Sequence, residues 1–232
     1  PSIHENASRR NSASSNGGGG GEICVVSAAL HFLEDKKRLL ECLETEDYTA
    51  VDAGIGASVG GHVRHSLDHF EKLVTAAGAG GADPADPTAA TTWGVAAEDD
   101  ANGTAATAPV VRYDRRVRGG SIEKDPAAAI QVISSLLEQL QEMPRGPLLR
   151  AKRVAPTFML GGGGGGKEEF EFESNLEREL FFCCHHGTHH DAMIQLILRG
   201  MGEKGELALR QAGKGFGVAP STVEFLRKQK EE

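Results

Sequence analysis

Large apolar side chains recur at spacings of three, four and seven in several separate stretches of the chain, and each stretch predicts an amphipathic helix. The first covers 22–46, with Ile23, Val26, Leu30, Leu33, Leu40 and Leu43 on one stripe and Glu34, Asp35, Lys36 and Lys37 assigned to the other face. The second covers 58–77 and meets a stop glycine at Gly78. The third, 126–142, opens on Asp125 as N-cap with Pro126 in the first helical position, buries Ile130, Ile133, Leu136, Leu137 and Leu140, and is stopped by Pro144 and Pro147. The fourth, 175–199, has Ser174 and Glu177 spaced as a capping box and is closed by Gly200. A short helix begins near Ser221. Between the third and fourth helices the period changes to two: 148–156 and 168–173 alternate and predict a hairpin across a hexaglycine. The pattern predicts an all-α protein, an antiparallel four-helix bundle of the up-down-down-up type, with a minor β-hairpin.

Glycine then explains what lies around those helices. Of 30 glycines, 11 fall in 17–21 and 161–166, and five more fall in 78–103. Residues 1–21 read as a disordered N-terminal tail, and 78–109, made of Ala, Gly, Thr, Asp and Pro, as a low-complexity insert. Residues 22–230 form a single domain interrupted by that insert and by the hexaglycine turn at 161–166. The net charge of −8 argues against a general nucleic-acid binder, and no apolar run approaches the ~20 residues of a membrane span. Cys24, Cys42, Cys183 and Cys184 form no CxxC motif and no dense framework, which favours a reducing, cytoplasmic setting. Arg9, Arg10 and the serines around them fit a disordered tail more plainly than the remnant of an organellar transit peptide.

Histidine carries the candidate chemistry. Seven of the nine histidines lie in two windows, His62, His65 and His69 in the second helix and His185, His186, His189 and His190 in the fourth. Imidazoles one helical turn apart can share a metal ion, so the clustering points to a three-histidine metal site. At ~100° per residue, His186 and His190 lie about 40° apart in the middle of the apolar arc, with His189 and His185 to one side. In the second helix the same geometry slightly prefers His62 and His69 over His65 and does not decide between them. Asp68, opposite the apolar stripe, reads as solvated. Arg112, Tyr113, Arg115, Arg116 and Arg118 form a basic segment whose guanidinium groups are candidates for binding a carboxylate, with a solvated loop as the equal alternative.

The stretches 58–70 (SVGGHVRHSLDHF), 177–194 (ERELFFCCHHGTHHDAMI) and 216–222 (FGVAPST) resemble the DinB-like metalloprotein superfamily. The resemblance covers about 22–77 and 110–230. It implies a four-helix bundle holding a divalent transition metal, zinc, nickel or iron, by one histidine of the second helix and an H-x-x-x-H pair. Carried over, the pair falls on His186 and His190. The second-helix ligand follows an opening serine by seven positions and precedes an acidic residue by three, which selects His65 between Ser58 and Asp68. His62, His69 and His189 stay as neighbours or alternative ligands. The insert, the hexaglycine and the extra His185 depart from the family pattern.

Characterised relatives include thiol transferases that use small thiols, a thiol-dependent maleylpyruvate isomerase, and the N-terminal half of sulfoxide synthases of thiohistidine biosynthesis. The resemblance therefore implies a metal-dependent enzyme that activates a low-molecular-weight thiol or water, as a thiol S-transferase or hydrolase-like protein. Tyr113, Arg115 and Arg116 are its candidate substrate contacts and a small thiol its candidate cosubstrate. The alternative is a non-catalytic, stress-associated metal-binding bundle. Bundles of this type often pair through helix faces, which makes a homodimer the expected assembly if the chain is not monomeric.

Overall fold

The computed structural model describes residues 24–78, 108–115, 118–159 and 169–230. The N-terminal tail at 1–21, nearly all of the 78–109 insert, the hexaglycine and Arg116 lie outside the described residues. Among the described residues the chain is mostly helical, with a mixed four-stranded sheet, and no helix is long and apolar enough to cross a membrane.

The long helices are α1 (Val25–Leu40), α3 (Val59–Gly78), α5 (Pro126–Gln141) and α7 (Leu176–Gly200). Helix α3 packs on α7 and α5, while α1 packs on α5, α7 and the later α8 (Glu203–Ala212). Their apolar stripes meet in one core that includes Val26 and Leu33 of α1, Val63, Leu67 and Phe70 of α3, Ile133 and Leu140 of α5, and Leu180 and Ile194 of α7. Burial of such side chains supplies the main favourable term, about 1.5–3 kcal/mol each. The ends follow the sequence signals at α5, where Asp125 Oδ1 accepts from the Ala127 amide, and at α3, where Ser58 Oγ accepts from the Gly61 amide. The expected Ser174–Glu177 box does not form. Asn175 is the N-cap, its Oδ1 accepting from the Arg178 amide, because the Ser174 hydroxyl is drawn instead to buried Glu179.

Three other expectations are corrected. The first helix does not run to residue 46: it stops at Leu40, and a separate α2 (Thr45–Thr49) turns Tyr48 into the core, where its hydroxyl donates to the Ile122 carbonyl at 2.6 Å. That contact fixes α2 against α4 (Ser121–Lys124). Residues 148–151 are not strand, because Gly146, at φ +63°, and Pro147 start the short helix α6 (Pro147–Ala151). The strand β2 (Arg153–Met159) follows it. Finally, the β part is more than a hairpin. β2 pairs antiparallel with β3 (Glu169–Glu171) and β4 (Ser174–Asn175), and also parallel with β1 (Val110–Arg112), Val111 facing Pro156. The short helix near Ser221 is α9 (Pro220–Lys228).

Two glycines set how closely α7 can be approached. A Cβ on Gly187, between the two α7 histidines, would sit 2.3 Å from Phe32 Cζ of α1. Gly217, at φ +69°, lets the turn before α9 lie against the Asp191 carbonyl, where a Cβ would come within 2.7 Å.

Candidate metal centre

Helix periodicity places His62, His65 and His69 of α3 on one side of that helix, and His186 and His190 one turn apart on α7. Because α3 and α7 pack together, the two sets meet. His186 Nε2 lies 3.2 Å from His65 Nε2 and 3.1 Å from His190 Nε2, and the ligand atoms of His65, His186 and His190 all lie within 4.8 Å of one another. His65 and His190 are buried and His186 is half-buried. Nitrogens bound at about 2.0–2.1 Å to one tetrahedral ion are about 3.3 Å apart, so this cluster fits a metal ion held by three imidazoles. Such a set leaves a fourth position for water or a substrate atom.

The surrounding groups restrict protons around the cluster. His69 Nδ1 lies 2.9 Å from the His65 carbonyl, which only accepts, so His69 carries a proton on Nδ1. Its ring stacks on Tyr113, centroids 5.0 Å apart, and also neighbours His186 at 4.4 Å. His62 Nδ1 lies 3.0 Å from His190 Nδ1, while its buried Nε2 finds no partner among the described residues. An unsatisfied buried donor or acceptor of this kind costs about 1–3 kcal/mol. Burial, reinforced by His186 and His62, pushes His190 down to about 3. Burial also lowers His62, with His189 and Lys36 adding to it.

These shifts fix a pH dependence. Between about pH 6.5 and 3 the unfolded chain protonates an imidazole at position 190 that the folded chain keeps neutral. The unfolded state therefore binds more protons in that interval, and stability falls as the pH falls. Asp191, pushed up to about 6, acts in the opposite sense between about pH 6 and 3.8, so the His190 contribution is read as the difference between parent and variant. In thermal melts of metal-free protein, His190→Gln should lose less Tm between pH 7 and pH 4.5 than the parent, and an equal or larger loss in the variant would contradict the assignment.

A ring of polar groups the sequence reading had not assembled lies around the centre. Tyr113 is buried, and its hydroxyl donates to Glu179 Oε2 at 3.1 Å, while burial pushes the phenol upward. Glu179, fully buried, also accepts from Ser174 and Arg178. Lys36, assigned from sequence to the polar face of α1, is completely buried and paired with Asp191 of α7. Its ammonium lies 4.9 Å from the Phe32 ring centroid. Burial pushes Asp191 up to about 6, and Lys36 opposes that shift. The signal for Lys36 was its spacing: it stands three residues after Leu33 and four before Leu40, in the buried stripe itself. Asp191 follows His190 directly on α7.

The remaining candidates sit outside the three-nitrogen cluster. His185 is exposed and stacks on Phe181, and His189 is exposed with its ring 5.4 Å from His190. Asp68 is not freely solvated, since Arg64 Nη1 donates to it at 2.7 Å and Arg64 also pairs with Glu123. Arg112 and Arg115 both pair with Glu169, at 2.6 and 3.5 Å. Cys183 is fully buried and burial holds it a thiol, as it does Cys184, pushed up to about 12. That favours packing over nucleophilic chemistry for both. A cleft of about 590 Å³ lies between the start of α1, α7 and the turn into α9, lined by Cys24, Phe181, Cys184, His185, His189 and Gly217, and none of the three clustered histidines borders it.

No family model and no solved structure matches the chain. A curated protein, FK506-binding protein 5 of Rhizopus delemar, is 29% identical over 120 residues, which is 52% of this chain and 28% of that protein. The chain thus spans less than a third of that relative's length.

Proposed function

We propose that the chain is a metal-dependent protein of the DinB-like kind, with α1, α3, α5 and α7 as its four-helix bundle and His65, His186 and His190 as ligands of a divalent transition metal, zinc, nickel or iron. The observation that carries the reading is the convergence of three Nε2 atoms, from two helices, at ligand-to-ligand spacing. When bound, such an ion lowers the pKa of a coordinated thiol or water and presents it as an anion to an electrophile.

The chain's own residues supply the rest. His186 of α7 is half-buried, while His65 of α3 and His190 of α7 are buried between those two helices. The aromatic layer of His69, Tyr113 and Phe182 closes off the sheet side, and Glu179 anchors that layer by accepting from Tyr113. Thiol S-transfer or hydrolysis is the reaction class that follows. The second reading, a non-catalytic metal-binding bundle, is favoured by one fact: of the candidate substrate contacts Tyr113, Arg115 and Arg116, the two that lie among the described residues, Tyr113 and Arg115, each have an internal carboxylate partner.

Zinc-loaded and metal-stripped protein, incubated with a chromogenic aryl halide and with glutathione or cysteine, separate the two. Thiol-dependent turnover that disappears on stripping and returns on reloading is expected. Stoichiometric metal without turnover for any thiol or ester tested would leave the non-catalytic bundle.

A further inference from the structure

His62 and His190 face each other through their Nδ1 atoms, 3.0 Å apart. Two bare lone pairs, or two N–H groups, would repel at that distance, so one ring donates and the other accepts. The far side of His190 decides which. Its Nε2 belongs to the three-nitrogen cluster, 3.1 Å from His186 Nε2, and a neutral imidazole that turns its Nε2 lone pair to a metal holds its single proton on Nδ1. His190 is then the donor, His62 accepts at Nδ1, and the His62 proton resides on the buried Nε2.

We propose that His62 is a positioning residue of the metal centre: it accepts the His190 Nδ1–H and so fixes the tautomer and ring plane of that ligand. The inference rests on the three-histidine metal reading. Ligating histidines usually hand this proton to a carboxylate, a backbone carbonyl or water, and their partners govern metal affinity. An imidazole in that role orients the ligand without adding negative charge. Three neutral ligands and a neutral acceptor leave the dication's charge undiminished, which favours an anion, thiolate or hydroxide, as the fourth ligand. His62 stands three residues before His65 on the same helical turn of α3, so one rigid element carries both a ligand and the acceptor for another ligand.

The test uses full-length protein, zinc affinity by chelator competition and the visible spectrum of the cobalt-substituted form. His62→Leu, which removes the acceptor, is expected to weaken zinc binding by about 10–100-fold. It should keep the intense four-coordinate cobalt spectrum, since all three ligands remain. His62→Asn, whose Oδ1 occupies the place of Nδ1, is expected to bind within about threefold of the parent. In a His190→Ala background, His62→Leu should change nothing further, because the group it serves is gone. An unchanged affinity for His62→Leu, or a full further loss in the His190→Ala background, overturns the inference while leaving the metal centre intact. A cobalt spectrum lost in His62→Leu also overturns it, by making His62 a ligand. Parent protein that binds no zinc or cobalt overturns the metal reading itself.

Discussion

His186→Ala is expected to take the protein from about one bound metal ion per chain to nearly none. The His186 Nε2 lies within 3.2 Å of both other Nε2 atoms, so its loss opens the cluster from both sides. Zinc held by four protein ligands is bound by roughly 10–16 kcal/mol, or about 2.5–4 kcal/mol per ligand, so the loss corresponds to about 10²–10³ in affinity. Elemental analysis after dialysis measures the stoichiometry and chelator competition the affinity. Since His186 is half-buried, the apo fold should tolerate the change, and the apo Tm serves as control. Equal metal content in parent and variant would remove His186 from the ligand set.

Lys36→Met should produce the largest loss of stability among single side-chain changes near the centre. Lys36 is fully buried, and removing it leaves the Asp191 carboxyl enclosed without its cation. Breaking a buried pair on one side costs about 3–5 kcal/mol, whereas replacing both partners by apolar groups is often near neutral. For a chain of this size each kcal/mol lowers Tm by about 2–4 °C, so the single variant should melt about 10 °C lower at pH 7. The double variant Lys36→Met/Asp191→Leu should recover most of that loss. A drop of under about 1 kcal/mol in the single variant, or no recovery in the double one, would show that the pair does not hold α1 against α7.

How much of this was legible in the sequence depended on whether burial was signalled by large apolar residues. Helices α3, α5 and α7 were, through their stripes and through Gly78, Asp125-Pro126 and Gly200. Helix α8 was not, because its buried residues are Gly205, Ala208 and Ala212, too small to register as a stripe. Strand β1 spans three residues and pairs in parallel with a strand more than 40 positions later, so no local turn announces it. Lys36 reads as polar surface from its residue type, because the carboxylate that pairs with it, Asp191, stands 155 residues away.

The site divided along the same line. The i, i+4 spacing on an apolar arc groups His186 with His190, whereas on α3 the wheel slightly prefers His62 and His69 without deciding among the three, and the family resemblance is what selects His65. The reason is visible in α3, where the five consecutive residues Val63, Arg64, His65, Ser66 and Leu67 are all buried. A helix enclosed by α7 on one side, α5 on another and α4 at its start has no single inward direction for a wheel to find.

X-ray absorption at the zinc edge tests the three-histidine centre most directly. Zinc-loaded protein should show three imidazole nitrogens and one further oxygen at about 2.0–2.1 Å, and adding a small thiol should replace that oxygen by one sulfur at about 2.3 Å. Sulfur ligands before any thiol is added, or two imidazoles or fewer, would contradict the assignment of His65, His186 and His190.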